Sequence, residues 1–291
     1  MAPETSGAFS LLGQFGNWYV GTFNSKLQLP NPKHFTHTFS DIAVSMSKRQ
    51  NIFGQPIIVK KNIIRLFGLV SYAGFNWSNK PRITGSVHLT EVPEANVMIV
   101  SNHQTYFADV ALMHHVIHSA LKGRIDNIRY PGFLRPKHNI YVVAADETMK
   151  SGLLPRLMAL SGTIQVKRTW RKDGENVKRP VDQKDTDNIS KALSDGWVIS
   201  FPQGTTKPFM PGRKGTAHII KQHKPVVIPV VIDGFRRAFD KKGIYFKKKG
   251  TTLRMRIKAP IALNYDADPE SILNQVMTAI EQTPEHNLVE N

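Results

Sequence analysis

The chain has 291 residues, of which 39 are basic and 22 acidic, so its formal charge is +17 with histidine neutral. It contains no cysteine, which excludes disulfide bonds, thiolate zinc, iron–sulfur sites and a cysteine nucleophile. Its apolar fraction of 41% is too high for a wholly disordered chain. The positive excess indicates an anionic partner, either phosphate esters, nucleic acid or an acidic membrane surface.

The first 80 residues are aromatic-rich and irregular, and the pattern predicts helix only in pieces. Within them, residues 56–70 place apolar side chains on one helical face and Lys60, Lys61 and Arg65 on another. Such a helix can lie in a membrane interface or pack on its own domain, and the sequence leaves both open. No apolar stretch is long enough for a spanning helix, and we predict no secretory signal.

From about residue 82, short β-rich runs alternate with amphipathic stretches. In chain order we predict strand 96–100, helix 109–121, strand 140–144, helix 148–160, strand 163–166, helix 187–193, strand 197–201, helix 214–222, strand 226–232, strand 253–257 and helix 269–281. This alternation predicts an α/β fold, a mostly parallel sheet flanked by helices, with an N-terminal helical region. We therefore divide the chain into a partly helical region 1–80, a candidate for membrane docking, and an α/β domain 81–291.

Ligands of such sheets bind where strand ends feed loops, and the strand at 96–100 runs directly into the segment SNHQTYFAD. His103 in this segment is a candidate general base, and Asp109 is a candidate orienter that fixes the imidazole tautomer. Positions six apart on a helix lie about 240° apart around its axis, so the two can meet only across a turn. Taken alone, the pair favours a structural histidine that caps the helix.

Three later segments change that interpretation. Residues 161–168 bring Lys167 and Arg168 to a strand end, residues 201–206 end a strand in a turn of small residues, and strand 226–232 is interrupted by Pro229. In this order, the four segments resemble the four sequence blocks of the glycerolipid acyltransferases, the family of 1-acylglycerol-3-phosphate (lysophosphatidate) acyltransferases. The resemblance covers roughly residues 81–234.

The resemblance implies an enzyme that moves a fatty acyl chain from an acyl-CoA or acyl-carrier-protein thioester to the hydroxyl of a lysophospholipid. It implies no metal and no cofactor beyond the thioester co-substrate. The expected acceptor is 1-acylglycerol-3-phosphate, giving phosphatidate, with His103 as the general base supported by Asp109. The resemblance further implies a set of substrate-binding residues, in which Arg168 grips the acceptor phosphate: Asn102, Lys167, Arg168, Gln203, Gly204, Thr205, Thr206 and Lys207.

The chain departs from the family pattern in two blocks. Five residues separate His103 from Asp109 where the family usually has four, and the extra residue is either absorbed as a bulge or marks a different acceptor. Gln203 and Thr206 stand where the family usually has glutamate and arginine, and Lys207 can replace the arginine only as a point charge. The same chemistry on a lipid acceptor without a phosphate, such as an aminolipid, is therefore an alternative.

Several basic clusters carry much of the positive charge: Arg168 to Lys172, Arg236–Arg237, Lys241–Lys242 and Lys247 to Lys249. They predict adhesion to an anionic membrane, with Trp170 as an interfacial anchor, and place the protein in the cytoplasm, peripheral on the inner membrane face. They would also attract the phosphates of coenzyme A or an acidic carrier protein. No nucleic-acid partner is expected, although charge alone leaves open a non-catalytic protein that binds nucleic acid or anionic membrane.

Three histidines on the helix predicted at 109–121 could suggest a metal site: His114, His115 and His118. No glutamate follows His114 as a zinc-protease helix would require, and no cysteine assists. We predict that they lie on the helix surface, with one ring partly buried, and hold no metal.

Overall fold

A seven-stranded sheet organises the computed structural model, which describes residues 50–137, 139–150, 152–167, 171–172, 175–176 and 182–287. The strands are β1 (Lys80–Thr84), β2 (Val97–Ser101), β3 (Ile140–Ala145), β4 (Thr163–Val166), β5 (Trp197–Ser200), β6 (Val226–Asp233) and β7 (Thr252–Ile257). Their order across the sheet is β1-β7-β6-β2-β5-β3-β4. Every neighbouring pair is parallel except β6 with β7. The predicted mostly parallel sheet is therefore confirmed.

Helices cover both faces of this sheet. They are α1 (Ile57–Asn76), α2 (Ala108–Ala120), α3 (Asp146–Met149), α4 (Leu153–Ala159), α5 (Gln183–Asp195), α6 (Lys214–His223), α7 (Phe235–Ala238), α8 (Pro269–Ala279) and α9 (Pro284–Asn287). The single helix predicted at 148–160 is wrong, because the chain there forms α3 and α4 as separate helices. Gly152 is extended at this break, and Pro155 lacks the N–H that a continuous helix would need.

The central strands are buried on both faces, which explains their continuous apolar sequences. In β2, Ile99 packs on the face that α2 covers, whereas Met98 and Val100 pack on the opposite face with α6 and α8. This burial rigidly fixes the carboxyl ends of the central strands, from which the site loops emerge.

Helix α1 packs against α2 and buries Lys60 completely. The Lys60 ammonium donates a hydrogen bond to the carbonyl oxygen of Ile140 at 2.9 Å and lies 4.0 Å from the centroid of the Tyr141 ring. Burial lowers the pKa of Lys60 to about 7. The predicted helix at 56–70 is confirmed and extends to Asn76, and no described helix has the length and apolarity needed to cross a bilayer.

The prediction that the histidines of α2 lie on the helix surface is wrong, because α1 and the Gly132–Leu134 turn pack over that side of α2. His115 and His118 are buried, and His115 Nε2 lies 2.9 Å from the Ser71 hydroxyl oxygen. Burial lowers the pKa of His115 to about 3 and that of His118 to about 4. Among the residues described, no group of metal-ligating side chains is arranged to hold an ion.

Candidate active site

The carboxyl ends of β6, β2 and β5 meet at one edge of the sheet, because these three neighbouring strands are parallel. The loop after β2 carries His103, the loop after β5 carries the turn at 201–206, and β6 contains Pro229. Three of the four sequence blocks are therefore brought together at the position where α/β sheets usually bind ligands.

The imidazole of His103 contacts the carboxylate of Asp109, with 2.9 Å between Nδ1 and Oδ2. Asp109 lies in the first turn of α2 and is completely buried. Its Oδ2 also accepts the backbone N–H groups of Gln104 at 2.6 Å and Thr105 at 3.0 Å, and its Oδ1 accepts the Thr105 hydroxyl at 2.7 Å. Because a carboxylate only accepts, Nδ1 donates and Nε2 keeps its lone pair. The predicted contact across a turn is confirmed despite the extra residue.

Aromatic rings hold the imidazole plane of His103. The ring of Phe201, directly after β5, stacks on it with 3.9 Å between centroids and 23° between planes. Tyr106 stands on another side, with its ring centroid 6.5 Å away. Only 14% of the His103 side chain is exposed. The imidazole is therefore fixed in orientation yet still reachable from the adjoining cavity.

A distant segment holds the loop that contains the extra residue. The backbone N–H of Tyr106 donates to the carbonyl oxygen of Lys241 at 3.1 Å, and that of Phe107 donates to Lys242 at 2.9 Å. Gly243 follows at φ +78°, where a Cβ atom would lie 2.6 Å from the amide nitrogen of Ala108. The segment between α7 and β7 thus braces the loop after β2, which carries the pair His103 and Asp109, called the dyad below. The sequence did not indicate this role.

Asn102 and Gln104 connect the same loop to β6. The Asn102 side-chain amide donates to the Ile232 carbonyl at 2.9 Å and accepts the Ile232 N–H at 2.8 Å. Gln104 accepts the backbone N–H of Phe235 at 2.9 Å. Asn102, expected to bind substrate, is buried and does not line the cavity described below. Its observed contacts join two strands.

Some residues of the turn after β5 line the cavity described below, and others are buried or exposed outside it. Gly204 adopts φ +62° and donates its N–H to the Phe201 carbonyl at 2.9 Å, which closes the turn. Thr205 and Thr206 line the cavity, whereas Gln203 is buried and donates to the Met210 carbonyl at 2.9 Å. Lys207 is exposed and does not line the cavity.

A cavity of about 690 Å³ opens beside His103. Its apolar lining includes Met98, Phe107, Val110, Val142, Met149, Met158, Val166, Ile189 and Phe201. Lys167 lines another part, and its ammonium is paired with Asp182 at 2.9 Å. Arg168 and Trp170 lie outside the described residues. The space and its walls suit an aliphatic chain that ends at the imidazole.

Comparison with known proteins agrees with this architecture. A family model described as Acyltransferase matches residues 80–233, and no curated protein matches the sequence. The fold is similar to the crystal structure of the 1-acyl-sn-glycerophosphate (LPA) acyltransferase PlsC from Thermotoga maritima, with 15% sequence identity and a TM-score of 0.51. That likeness covers 88% of this chain and 92% of the other, and at this identity it shows the fold.

Membership in a family of enzymes excludes the alternative of a non-catalytic protein that binds nucleic acid or anionic membrane, which the charge alone had left open. The family model spans more than half of the chain, and its matched residues contain the dyad, the turn after β5 and Pro229. The chain therefore belongs to the acyltransferase family.

Proposed function

We propose that the protein transfers a fatty acyl chain from an acyl-CoA or acyl-carrier-protein thioester to the hydroxyl of a lysophospholipid. The preferred acceptor in this proposal is 1-acylglycerol-3-phosphate, and the product is phosphatidate. The observation that supports it most is the contact of His103 with Asp109 beside an apolar cavity of about 690 Å³, within a chain of the acyltransferase family.

In this reaction His103 acts as the general base. Nε2 takes the proton of the acceptor hydroxyl as its oxygen attacks the thioester carbonyl carbon. The tetrahedral adduct collapses with cleavage of the carbon–sulfur bond, and the imidazolium returns the proton to the departing thiolate. Asp109 keeps the proton on Nδ1 and stabilises the imidazolium, since its carboxylate is already oriented by two N–H groups and one hydroxyl.

The remaining site residues of the proposal supply binding. Gly204, Thr205 and Thr206 line the cavity and would border the reacting carbonyl, and Lys167 lines the cavity near β4. Arg168, at the end of the second block, would contact the acceptor phosphate. Gln203 and Asn102 support the site through the loops that they anchor, and Lys207 contributes positive charge outside it.

The turn after β5 favours a second candidate acceptor. Thr206 and Gln203 replace the arginine and glutamate usual in the family, so this turn offers no guanidinium to a phosphate. A lipid acceptor without a phosphate, such as an aminolipid, would suit such a site with the same chemistry. We expect 1-acylglycerol-3-phosphate to be preferred in a panel of acceptors, and preference for an acceptor lacking phosphate would favour the alternative.

We further propose that the enzyme works at the cytoplasmic face of an anionic membrane, with the region 1–80 contributing to docking. Helix α1 supports this, since Leu66, Val70 and Trp77 follow one another along one face and are 58%, 70% and 81% exposed. The Phe246 ring packs beside Gly74 of the same helix, and exposed lysines 247–249 follow it. Apolar side chains next to lysines are typical of interfacial binding.

The test is the variant His103→Ala, assayed for phosphatidate formed from acyl-CoA and 1-acylglycerol-3-phosphate, and in parallel with acyl carrier protein. We expect kcat to fall by about 10²–10⁴-fold, because a general base contributes that much. His88→Ala is the matched control, because His88 does not line the cavity. Full activity of His103→Ala, with a thermal melt equal to that of the unmodified protein, would rule out the proposed base.

A further inference from the structure

Thr206 stands where the family usually has arginine, so the turn after β5 offers no cation that could join Arg168 at the acceptor's anionic headgroup. The guanidinium of Arg236 approaches the turn, but its Nη2 donates to the carbonyl oxygens of Thr206 and, at 3.4 Å, of His103. Arg236 therefore joins the loop after β2 to the turn after β5, and it does not line the cavity. A second cation for the headgroup, in addition to Arg168, can come from residues next to Tyr106, which lines the cavity beside His103.

Lys241 is such a residue, next to Tyr106 although it does not itself line the cavity. Its ammonium lies 5.8 Å from the centroid of the Tyr106 ring, and Tyr106 lines the cavity next to His103. The carbonyl oxygen of Lys241 accepts the Tyr106 N–H at 3.1 Å, so the backbone at residue 241 is fixed against the loop of the dyad. The hydrogen bond thus fixes the backbone of Lys241 beside the loop, and its ammonium lies near the face of Tyr106, whose ring centroid is 6.5 Å from that of His103.

The surroundings leave the charge of Lys241 available to a ligand. No carboxylate among the described residues forms an ion pair with it, whereas the neighbouring Asp240 accepts the N–H groups of Ile244 and Tyr245 at 2.8 and 3.0 Å. Asp233, the other nearby acid in sequence, is paired with Arg237 at 2.7 Å. An exposed ammonium over an aromatic ring, with no ion pair to any residue that the structure describes, is suited to bind an anion beside Tyr106.

We propose that Lys241 binds the phosphate of the acceptor, in place of the arginine that the family carries at the position of Thr206. This inference rests on the proposed function. The acceptor would enter with its hydroxyl at His103 Nε2 and its phosphate beside Tyr106. The loop that the extra residue enlarges and the segment that braces it would then form one headgroup site, so the longer spacing and the lost arginine are two parts of the same change.

The experiment compares Lys241→Gln with the unmodified enzyme in neutral detergent micelles, where lysine charge cannot act through membrane adhesion. Two acceptors are used, 1-acylglycerol-3-phosphate and the monoacylglycerol that lacks only its phosphate. We expect the KM for the phosphate acceptor to rise about tenfold with kcat unchanged, because a charge-assisted hydrogen bond is lost. The KM for monoacylglycerol should stay the same, and Lys241→Arg should restore most of the affinity.

The matched control is Lys122→Gln, which removes an exposed lysine beyond the carboxyl end of α2, the end opposite to the dyad. If Lys241→Gln behaves like this control while the enzyme acylates 1-acylglycerol-3-phosphate, the inference fails and the proposed function stands. Equilibrium binding of 1-acylglycerol-3-phosphate to the His103→Ala protein, with and without Lys241→Gln, measures the affinity for the acceptor without turnover. If the unmodified enzyme acylates neither acceptor, the proposed function itself fails.

Discussion

At the residue scale, the dyad derives its geometry from the hydrogen bonds that Asp109 accepts. The completely buried carboxylate takes donors from Gln104, Thr105 and His103. Backbone N–H groups of the loop after β2 therefore orient the carboxylate of Asp109, and the carboxylate orients the imidazole of His103. A change that preserves shape but replaces one acceptor oxygen with an N–H₂ group would disturb this arrangement without leaving a hole in the core.

Asp109→Asn is such a change. We expect kcat to fall by at least about 10²-fold, because the amide cannot hold the proton on Nδ1 or stabilise the imidazolium. Side-chain volume is preserved, so the KM for the thioester should stay within about threefold. Steady-state kinetics with both substrates varied would check this. A variant with undiminished kcat would show that Asp109 has only a structural role.

At the element scale, the segment between α7 and β7 is the part of the site that folding brings from farthest away. Its carbonyl groups at 241 and 242 receive the N–H groups of Tyr106 and Phe107, and Gly243 lies against Ala108 and Thr105. Only glycine fits at residue 243, because its φ is +78° and a Cβ atom would lie 2.7 Å from the Thr105 hydroxyl oxygen.

Gly243→Ala should therefore displace the loop of the dyad and lower kcat at least about tenfold, since misplacement of reacting groups is costly. Gly250→Ala is the matched control in the same segment. Its φ is +72°, yet a Cβ atom there would meet nothing within 4 Å. Both variants should lose about 1 kcal/mol of stability from backbone strain, and Gly243→Ala should lose more because its Cβ atom would contact Ala108 and Thr105 closely. Only Gly243→Ala should lose activity. An equal loss of kcat in the two variants would contradict the proposed role of the segment between α7 and β7 in bracing the loop of the dyad.

Sequence reasoning worked best where the pattern was local. The alternation of strands with helices predicted the sheet, and the spacing of His103 from Asp109 predicted a turn that brings them together. Strand β1 was missed because it is an edge strand with only Ile83 buried, so its residues show no clear apolar period.

The contacts that hold the site residues in place could not be predicted from the sequence, because they involve residues that are remote in sequence from the dyad. The stacking of Phe201 on His103 joins positions 98 residues apart in the chain, from the ends of two neighbouring strands. The pairing of Tyr106 with Lys241 depends on how the segment after α7 folds back. Neither contact leaves a periodicity or a motif, and only the completed sheet brings those residues together.

At the scale of the whole molecule, the buried histidines of α2 make stability depend on acidity. The pKa of His115 falls to about 3 and that of His118 to about 4 in the folded protein, and burial also lowers the pKa of His114. Below the ordinary value of 6.5, the unfolded chain binds protons that the folded chain does not. The contribution of these histidines to the free energy of unfolding should therefore be constant above about pH 7 and decrease as the pH falls through 6.5. Lys60, whose pKa is lowered from 10.5 to about 7 by burial, adds a separate increase in stability as the pH rises from about 7 towards 10.5.

At pH 5 the loss should be about 2 kcal/mol for each of His115 and His118. Urea denaturation between pH 5 and pH 8 would measure it. In His115→Gln the slope below pH 6.5 should be smaller, whatever the absolute stability of the variant. His218→Asn removes an exposed histidine and should keep the full slope. Identical slopes for these two variants would argue against the buried histidines as the cause of the pH-dependent stability.

Positive charge and exposed apolar side chains should act separately in membrane binding. Lysines 247–249 each add about 1 kcal/mol near an anionic surface, so replacing all three with glutamine should weaken binding to anionic vesicles by about 3 kcal/mol. This contribution, and turnover on such vesicles, should decrease steeply as salt is raised, since screening shortens the reach of the charges. Trp77, directly after the last residue of α1, is 81% exposed and contributes apolar area, which salt does not screen.

Trp77→Ser should therefore weaken binding to neutral and anionic vesicles alike, by about 2 kcal/mol, with an unchanged salt slope. Ile125→Ser, at an exposed position beyond α2, is the control that should bind normally. Sedimentation with vesicles of phosphatidylglycerol or phosphatidylcholine, at several salt concentrations, separates the two contributions. Binding that does not respond to salt would show that these lysines take no part, and unchanged binding of Trp77→Ser would show that α1 does not face the lipid.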